Sequence, residues 1–554
     1  MSADATDATA NVARHLRNAA RSNPTFCAVR VPAGDGTDGA IRYTERTFAE
    51  LDRESDAAAE IFAQRGIGAG ARVLLLARPG LDLILSMFAL LKLGAVPVAI
   101  DPGMGLRSFL RCVENTRPEA LVGVAWPLAL TRLFPRIFRS VRVRICIGGV
   151  KFAGAVRAGA SALPAAGRPL FAATDGTDAA VLFTSGSTGA PKGVRYTHGM
   201  LDAQLALVRD SYGIEAGEVD LPMLPVFALF NPALGTTTVT PEMDPSHPAR
   251  VDPEKIIRAI TQNGVTYSFG SPALWAKIAR HCEQRGLSLP SVRRVLIAGA
   301  PVPVRLLRAL RTVLPNAEVH TPYGATEVLP VTSISGTEVL NDTWQETVQG
   351  KGTCVGRPLR GVSVALIPVC DGPLRDLAAA GTVATGAVGE IIVKSASCTR
   401  EYDNNAAATA LAKIPDGTGG VWHRMGDLGR FDATGRLWFL GRKAERVTTP
   451  AGPLYTESCE AVFNTHPRVF RTALIGLGKT GEQEPALVVE PFAEAFPRGA
   501  AARACFEAEL AALAQTQEVT RGIRRFFFEK KFPVDVRHNA KIHRLKLREK
   551  YSAK

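Results

Sequence analysis

Short apolar runs separated by helix-length segments recur along the first part of the chain, and this rhythm confines it to sheets with helices on their faces. Val73-Leu-Leu-Leu-Ala77 reads as a buried strand, Asp82 to Leu93 as a helix and Ala95 to Ile100 as a second strand. That spacing predicts a right-handed βαβ unit and a parallel sheet. Further strands are expected at Ala120–Val124, Val141–Ile147, Ala179–Phe183, Tyr267–Gly270, Val295–Gly299 and Glu318–His320. Residues 9–22 read as a helix carrying Arg14, Arg17 and Arg21, and Thr47 is a good cap for a helix that follows it. Small-residue runs at 152–178 read as a surface loop or linker. After about 350 the texture changes to short strands parted by glycines: Gly361–Ile367, Gly389–Lys394 and Arg436–Arg442. The final stretch alternates again, with Ser458–Asn464 and Ala500–Leu513 helical and Arg471–Gly476, Ala486–Glu490 and Arg525–Glu529 extended.

With 554 residues the chain exceeds one ordinary core, and three or four units are expected. The net charge of +14 is concentrated at the end, where residues 521–554 hold twelve Lys and Arg against three acids. Such a tail suits an anionic partner. With no nucleic-acid module signature, nucleic acid is not expected and membrane contact is peripheral at most. Nine cysteines lie singly without a C-x-x-C, which argues against zinc and fits reduced thiols in a cytoplasm. The polar start Met1 to Asp7 is unlike a signal peptide. The most apolar stretch, Val73 to Ile100, is interrupted by Arg78, Pro79, Asp82 and Lys92, which excludes a membrane span.

The chemistry is concentrated in Phe183-Thr184-Ser185-Gly186-Ser187-Thr188-Gly189-Ala190-Pro191-Lys192-Gly193, directly after an apolar strand. Glycine lets a ligand approach the backbone, consecutive N–H groups form an anion-binding concavity, and the hydroxyls and Lys192 add donors and charge. This is a phosphate cradle, but not the common nucleotide P-loop, because the lysine follows Pro191 rather than glycine. Downstream, His320-Thr-Pro-Tyr323-Gly324-Ala-Thr326-Glu327 offers an aromatic for adenine, a hydroxyl for the α-phosphate and a carboxylate for Mg²⁺. Gly299-Ala300-Pro301 precedes it, and Met425-Gly426-Asp427 offers a carboxylate for ribose hydroxyls.

In order and approximate spacing these pieces, with Val355–Leu359, Gly389-Glu390-Ile391 and Gly441-Arg442-Lys443, resemble the core motifs of the adenylate-forming superfamily of acyl-CoA synthetases, nonribosomal adenylation domains and luciferases. The resemblance runs from about 45 to 550. It implies an α/β fold: a large N-terminal lobe of βαβ-type parallel sheets with a β-rich subdomain at about 350–440, and a small mobile α+β C-terminal domain. The implied boundaries are 1–441, a hinge at 442–446 around Lys443, Ala444 and Glu445, and 447–554. It also implies that ATP, with Mg²⁺ on Glu327, is bound by Thr184 to Gly189, Lys192, Gly299 to Pro301, Tyr323, Gly324, Asp427 and Arg442. Catalysis is implied for Thr326, Glu327 and Lys541, the last in Arg537-His-Asn-Ala-Lys541-Ile-His-Arg, where Ala540 replaces the usual glycine.

Two departures bear on the second half-reaction. In Leu224-Pro-Val-Phe227-Ala228-Leu-Phe230 an alanine stands where relatives often carry His beside the acyl site, so Phe227, Ala228 and Phe230 are expected to form a roomier acyl pocket. After the hinge, Pro450 and Pro453 stiffen the segment that helps form a thiol-acceptor face in CoA-using relatives. Within the superfamily the combination is most similar to the β-lactone synthetases of bacterial long-chain olefin biosynthesis. That resemblance implies a long-chain 2-alkyl-3-hydroxy acid as substrate, intramolecular attack by its hydroxyl, and other enzymes of an olefin-biosynthesis assembly as partners. A long-chain acyl-CoA synthetase or fatty-acyl-AMP ligase shares the first step. A non-catalytic basic scaffold is disfavoured by Glu327, Asp427 and Lys541 standing together. His198, His423, His538 and His543 are the candidate bases for the hydroxyl proton, with a structural role open for each.

Overall fold

The computed structural model describes residues 9–164, 166–184, 191–244, 247–534 and 542–552. Within them the expected rhythm becomes a six-stranded sheet in the order Val143–Cys146, Ala120–Gly123, Arg72–Leu76, Val96–Ala99, Asp178–Thr184, Lys192–Thr197. All neighbours are parallel except the last pair. Helix Leu81–Leu93 is the crossover between the strands at 72–76 and 96–99. Helix Phe48–Gln64 packs against it and starts at the expected cap: Thr47 accepts from the Glu50 N–H at 3.2 Å, and Glu50 accepts from the Thr47 N–H at 2.8 Å.

Lys92, which interrupts the apolar run, is buried rather than surface-facing. Its ammonium donates to Asp52 at 2.5 Å and Asp56 at 2.7 Å, and Arg17 donates to the same two carboxylates. Two cations between two carboxylates leave no uncompensated charge in the core.

The reading of 152–178 as a loop is corrected over its first part, where helix Val150–Ala162 forms. Its small residues serve close packing. A Cβ on Gly159 would meet the Ala57 Cβ at 3.2 Å, and the Phe152 ring lies 6.3 Å from that of Phe62. Phe152, Val156 and Ala160 are the buried stripe, spaced four apart.

A second, fourteen-stranded sheet among the described residues carries Tyr267–Gly270, Arg294–Ile297 and Glu318–Ala325 in parallel. It continues antiparallel through Val328–Ser335, Thr353–Pro358, Leu437–Arg442, Val421–Phe431, Gly389–Lys394 and Ser363–Ile367. The β-rich segment is thus an extension of this sheet. Beyond 446 a three-stranded sheet of Val469–Leu477, Glu484–Pro491 and Arg525–Phe528 carries helices Thr456–Phe463, Ala500–Ala514 and Arg544–Ser552. Its apolar clusters, around Phe506 and around Phe532, draw only on residues after 446. Among the described residues no helix is long and apolar enough to cross a membrane.

Candidate active site

Strand ends from both large sheets and the segment after 441 border one open cleft of about 2930 Å³. Strand Arg294–Ile297 delivers Gly299, Ala300 and Pro301 to it, and strand Glu318–Ala325 delivers Tyr323 and Gly324. Thr326 and Glu327 occupy the connection to the antiparallel strand Val328–Ser335 and also border the cleft, as do Lys192, Asp427 and Arg442. Strands Asp178–Thr184 and Lys192–Thr197 pair with Thr184 opposite Lys192. Ser185, Gly186, Ser187, Thr188, Gly189 and Lys541 lie outside the described residues, as does the side chain of Thr184.

The proposed nucleoside end is a tight polar triad. Asp427 and Arg442 are direct partners on neighbouring antiparallel strands. Their side chains meet at 2.8 Å, and the Tyr323 hydroxyl donates to the other Asp427 oxygen at 2.5 Å. Burial and the adjacent Asp427 charge push the Tyr323 phenol well above its usual range, so it stays a donor. A phenol ring tethered by its own hydroxyl has a fixed plane, which suits stacking on a flat base.

The proposed phosphate end is braced by two tyrosines that no local sequence signal marks. The Tyr196 hydroxyl donates to the Thr326 carbonyl, and the Tyr402 hydroxyl donates to Glu327 at 2.6 Å. The Lys192 ammonium stands 4.8 Å from the centre of the Tyr402 ring. Tyr402 also forms a β-bridge to Val194, and the next N–H, of Asp403, donates to the Gly193 carbonyl at 2.7 Å. Asp403 is gripped by Arg72 at 2.6 and 2.9 Å and by the Thr116 hydroxyl at 3.0 Å. One short segment therefore ties the strand after the glycine run to the Glu327 carboxylate. Tyr402 occupies one carboxylate oxygen, and no cationic side chain among the described residues pairs with Glu327. An oxygen left over at the cleft wall fits a hard cation that takes most of its remaining ligands from phosphate and water.

At the proposed acyl end, Phe227 stacks on Phe269 with centroids 3.5 Å apart, and Phe230 follows at 6.0 Å from Phe227. All three belong to the apolar wall, and Phe227 and Phe230 border the cleft. Ala228 does not. It is buried in the turn Pro225–Leu229 and borders a pocket of about 20 Å³, beside Gly80 and Thr238, that shares Leu83, Pro225 and Met243 with the cleft wall.

The four histidines separate by place. His198 is buried in the core, where its Nδ1 accepts from the Val12 N–H at 3.1 Å and burial lowers it to about 4. His423 and His543 border the cleft, His423 held well below its usual value by burial and Lys413. His538 lies outside the described residues.

Lys443, Ala444 and Glu445 form a single 3₁₀ turn after the last strand of the large sheet. Lys443 donates to buried Glu390 at 3.1 and 3.2 Å, and Arg424 grips the same carboxylate at 2.6 Å. Ala444 is exposed. Glu445 pairs with Arg544 at 3.1 Å, and Arg544 also holds Glu460 at 2.6 and 2.8 Å. Arg544 stands three residues beyond Lys541, so the basic tail contains an anchor for the turn and not only solvated charge. Glu457, which borders the cleft beside Glu460, is pushed by burial up to about 7 and accepts from Thr353 at 3.0 Å. Pro450 sits in the turn of a small hairpin, Val447–Thr449 against Gly452–Leu454, and Pro453 in its second strand.

The sequence model of the AMP-binding enzyme family matches residues 17–403. The chain belongs to the AMP-binding enzyme family. This AMP-binding enzyme is 46% identical over 552 residues to an olefin beta-lactone synthetase of Stenotrophomonas maltophilia, covering 97% of both chains. It is also 46% identical to one of Xanthomonas campestris pv. campestris, covering 97% of this chain and 96% of that one. In three dimensions it is similar to an amide bond synthetase from Marinactinospora thermotolerans, at TM-score 0.78 and 23% identity over 98% of this chain and 99% of the other. A Mycobacterium tuberculosis fatty acyl CoA synthetase is similar at TM-score 0.70 and 22% identity, over 98% and 99% of the two chains. These two likenesses establish the shared α/β fold.

Proposed function

We propose that this AMP-binding enzyme uses ATP to activate a long-chain 2-alkyl-3-hydroxy acid and closes it to a β-lactone. The observation that carries this reading is the end-to-end 46% identity to olefin beta-lactone synthetases, which includes the segment after 441. The cleft supports it chemically. A substrate carboxylate oxygen attacks the α-phosphorus of ATP, and pyrophosphate leaves. In this reading Asp427 and Tyr323 would receive the nucleoside, Lys192 and Thr326 would take the phosphates, and Lys541, implied by the family motif, would add its charge there. Glu327 would hold Mg²⁺, which supplies charge neutralisation to the departing pyrophosphate when bound. Then the substrate's own 3-hydroxyl oxygen attacks the activated carbonyl, the C–O bond to AMP breaks, and the hydroxyl proton leaves to a base at the cleft. The candidates for that base that border the cleft are His423 and His543, with His538 outside the described residues and His198 buried in the core. A tethered nucleophile gains a large effective concentration provided the geometry is held, so no external acceptor is required.

Ala228 borders a small pocket that shares lining residues with the cleft rather than the cleft itself, so this reading does not depend on the room it leaves. Space comes from the cleft itself, with the Phe227–Phe230 wall setting the acyl side. The hinge at 442–446 would let residues 447–554, with Lys541, alternate against residues 1–441, with Lys443–Glu390 and Arg544–Glu445 as the contacts that hold the arrangement seen here.

Incubation with ATP, Mg²⁺ and a synthetic 2-alkyl-3-hydroxy acid should release AMP and pyrophosphate and give a strained-lactone carbonyl by infrared or NMR. The same yield is expected with and without CoA. A thioester formed only when CoA is present would replace this reading by a long-chain acyl-CoA synthetase.

A further inference from the structure

The six-stranded sheet carries three exposed apolar side chains along one edge: Leu106 at 52%, Trp126 at 50% and Val150 at 85% exposure. Their alignment follows from the topology. Strands Val143–Cys146, Ala120–Gly123, Arg72–Leu76 and Val96–Ala99 are adjacent and parallel, so their C-terminal ends share one rim. The register is level, with Leu76 opposite Gly123 and Gly123 opposite Cys146. Leu106 and Val150 are the first residues of the helices that follow two of these strands, and Trp126 is the second residue of another. Four adjacent strands make this rim about 14 Å wide.

The cations share it. Arg107 and Lys151 directly follow Leu106 and Val150, Arg78 follows strand Arg72–Leu76, and all three are exposed. None of them has an ion-pair partner among the described residues. The acids of the rim are Asp82 and Asp101. Burial raises the Asp82 carboxyl above its ordinary value, and Asp101 accepts from the Gly103 N–H at 2.7 Å. Unpaired cations interleaved with exposed aliphatic and indole groups, in one line, match the headgroup layer of a bilayer. There the apolar tips enter the acyl boundary and the long cationic side chains reach phosphate.

We propose that this rim docks on an anionic phospholipid bilayer. Arg78, Val124 and Trp126 border both the rim and the cleft, so docking would open the cleft at the membrane surface. A two-chain acid could then enter without crossing water; that consequence rests on the β-lactone reading, whereas the docking itself does not.

The test is co-sedimentation of the full chain, without ATP or acid, with vesicles of phosphatidylglycerol and phosphatidylcholine in equal parts, and with phosphatidylcholine alone. The wild type should pellet with the anionic vesicles and lose this on raising the salt. R107E/K151E should bind at least about tenfold more weakly, the scale expected for two basic side chains at a charged surface. L106S/V150S should weaken similarly, and Trp126 emission should shift to the blue only with the wild type. Both variants should keep wild-type pyrophosphate release with a short, water-soluble 3-hydroxy acid. Failure of the wild type to pellet, equal binding to neutral vesicles, or undiminished binding by both variants overturns the proposal. So does loss of pyrophosphate release with the soluble acid, which would show the rim to be a seat for residues 447–554. The lactone assay reports on the reaction separately, so either proposal can fail alone.

Discussion

Replacing Asp427 by alanine tests the nucleoside end of the site and separates two effects. The carboxylate is almost wholly buried, takes the Tyr323 hydroxyl at 2.5 Å and faces Arg442 at 2.8 Å. Hydrogen bonds to a charged group contribute about 1.5–3 kcal/mol. Removing the anion strands a buried phenol and a guanidinium whose side chain is 31% exposed. Water takes up much of what Arg442 loses, so its share falls at the low end. The stability loss should therefore be about 2–4 kcal/mol, most of it from Tyr323. If ribose also bonds Asp427, ATP affinity should fall by about 10–100-fold. Asp427→Asn supplies the contrast: it keeps the shape and an acceptor for Tyr323 and drops only the charge. It should lose less stability than the alanine variant and bind ATP with intermediate affinity. Urea unfolding and calorimetric titration of ATP into each folded variant give the two numbers independently. Unchanged ATP binding by Asp427→Ala at saturating folded protein would refute the placement of ribose, whatever the stability loss.

Three further expectations concern the rest of the site. Lys541→Ala should leave the fold intact and lower pyrophosphate release by about 10²–10³, the usual effect of one transition-state donor, and near-normal turnover would assign this lysine to the solvated tail. Tyr402→Phe frees the Glu327 carboxylate and should raise the Mg²⁺ concentration needed for half-maximal binding of an ATP analogue, seen by calorimetry, with Lys192→Met weakening analogue binding at any Mg²⁺. Glu457 sits near 7 in the fold against 4.5 when unfolded, so the fold binds more protons between those values and stability should fall as pH rises through that window. Glu457→Gln should flatten that slope and add about 1–3 kcal/mol at pH 8 relative to the parent, measured by urea unfolding across pH 4.5–8.

The parallel strands, the Thr47 cap, the β-rich stretch and the elements after 446 were legible in the sequence because each carries its signal within ten or fifteen residues: an apolar run, a capping pair, glycine punctuation. The candidate site residues stand out in the sequence for a similar reason, since Thr326-Glu327, Gly426-Asp427 and Gly299-Ala300-Pro301 are short groups of chemically restrictive residues, and the fold brings all of them to one cleft. What sequence periodicity could not weigh was packing distance. Helix Val150–Ala162 looked like a loop because its alanines and glycines are polar-neutral and small, and only the approach of Ala57 to Gly159 shows why they are needed. Side-chain burial was also beyond it: Ala228 sits between Phe227 and Leu229, which border the cleft, yet is itself buried in the turn and does not. The same holds for long-range partners. Lys92 with Asp52 and Asp56, Tyr402 with Glu327, and Arg544 with Glu445 join residues 36 to 99 apart, and nothing local to either member encodes the other. Local chemistry determined which side chains this chain can use; only closure of the two sheets and the segment after 441 decided which of them meet.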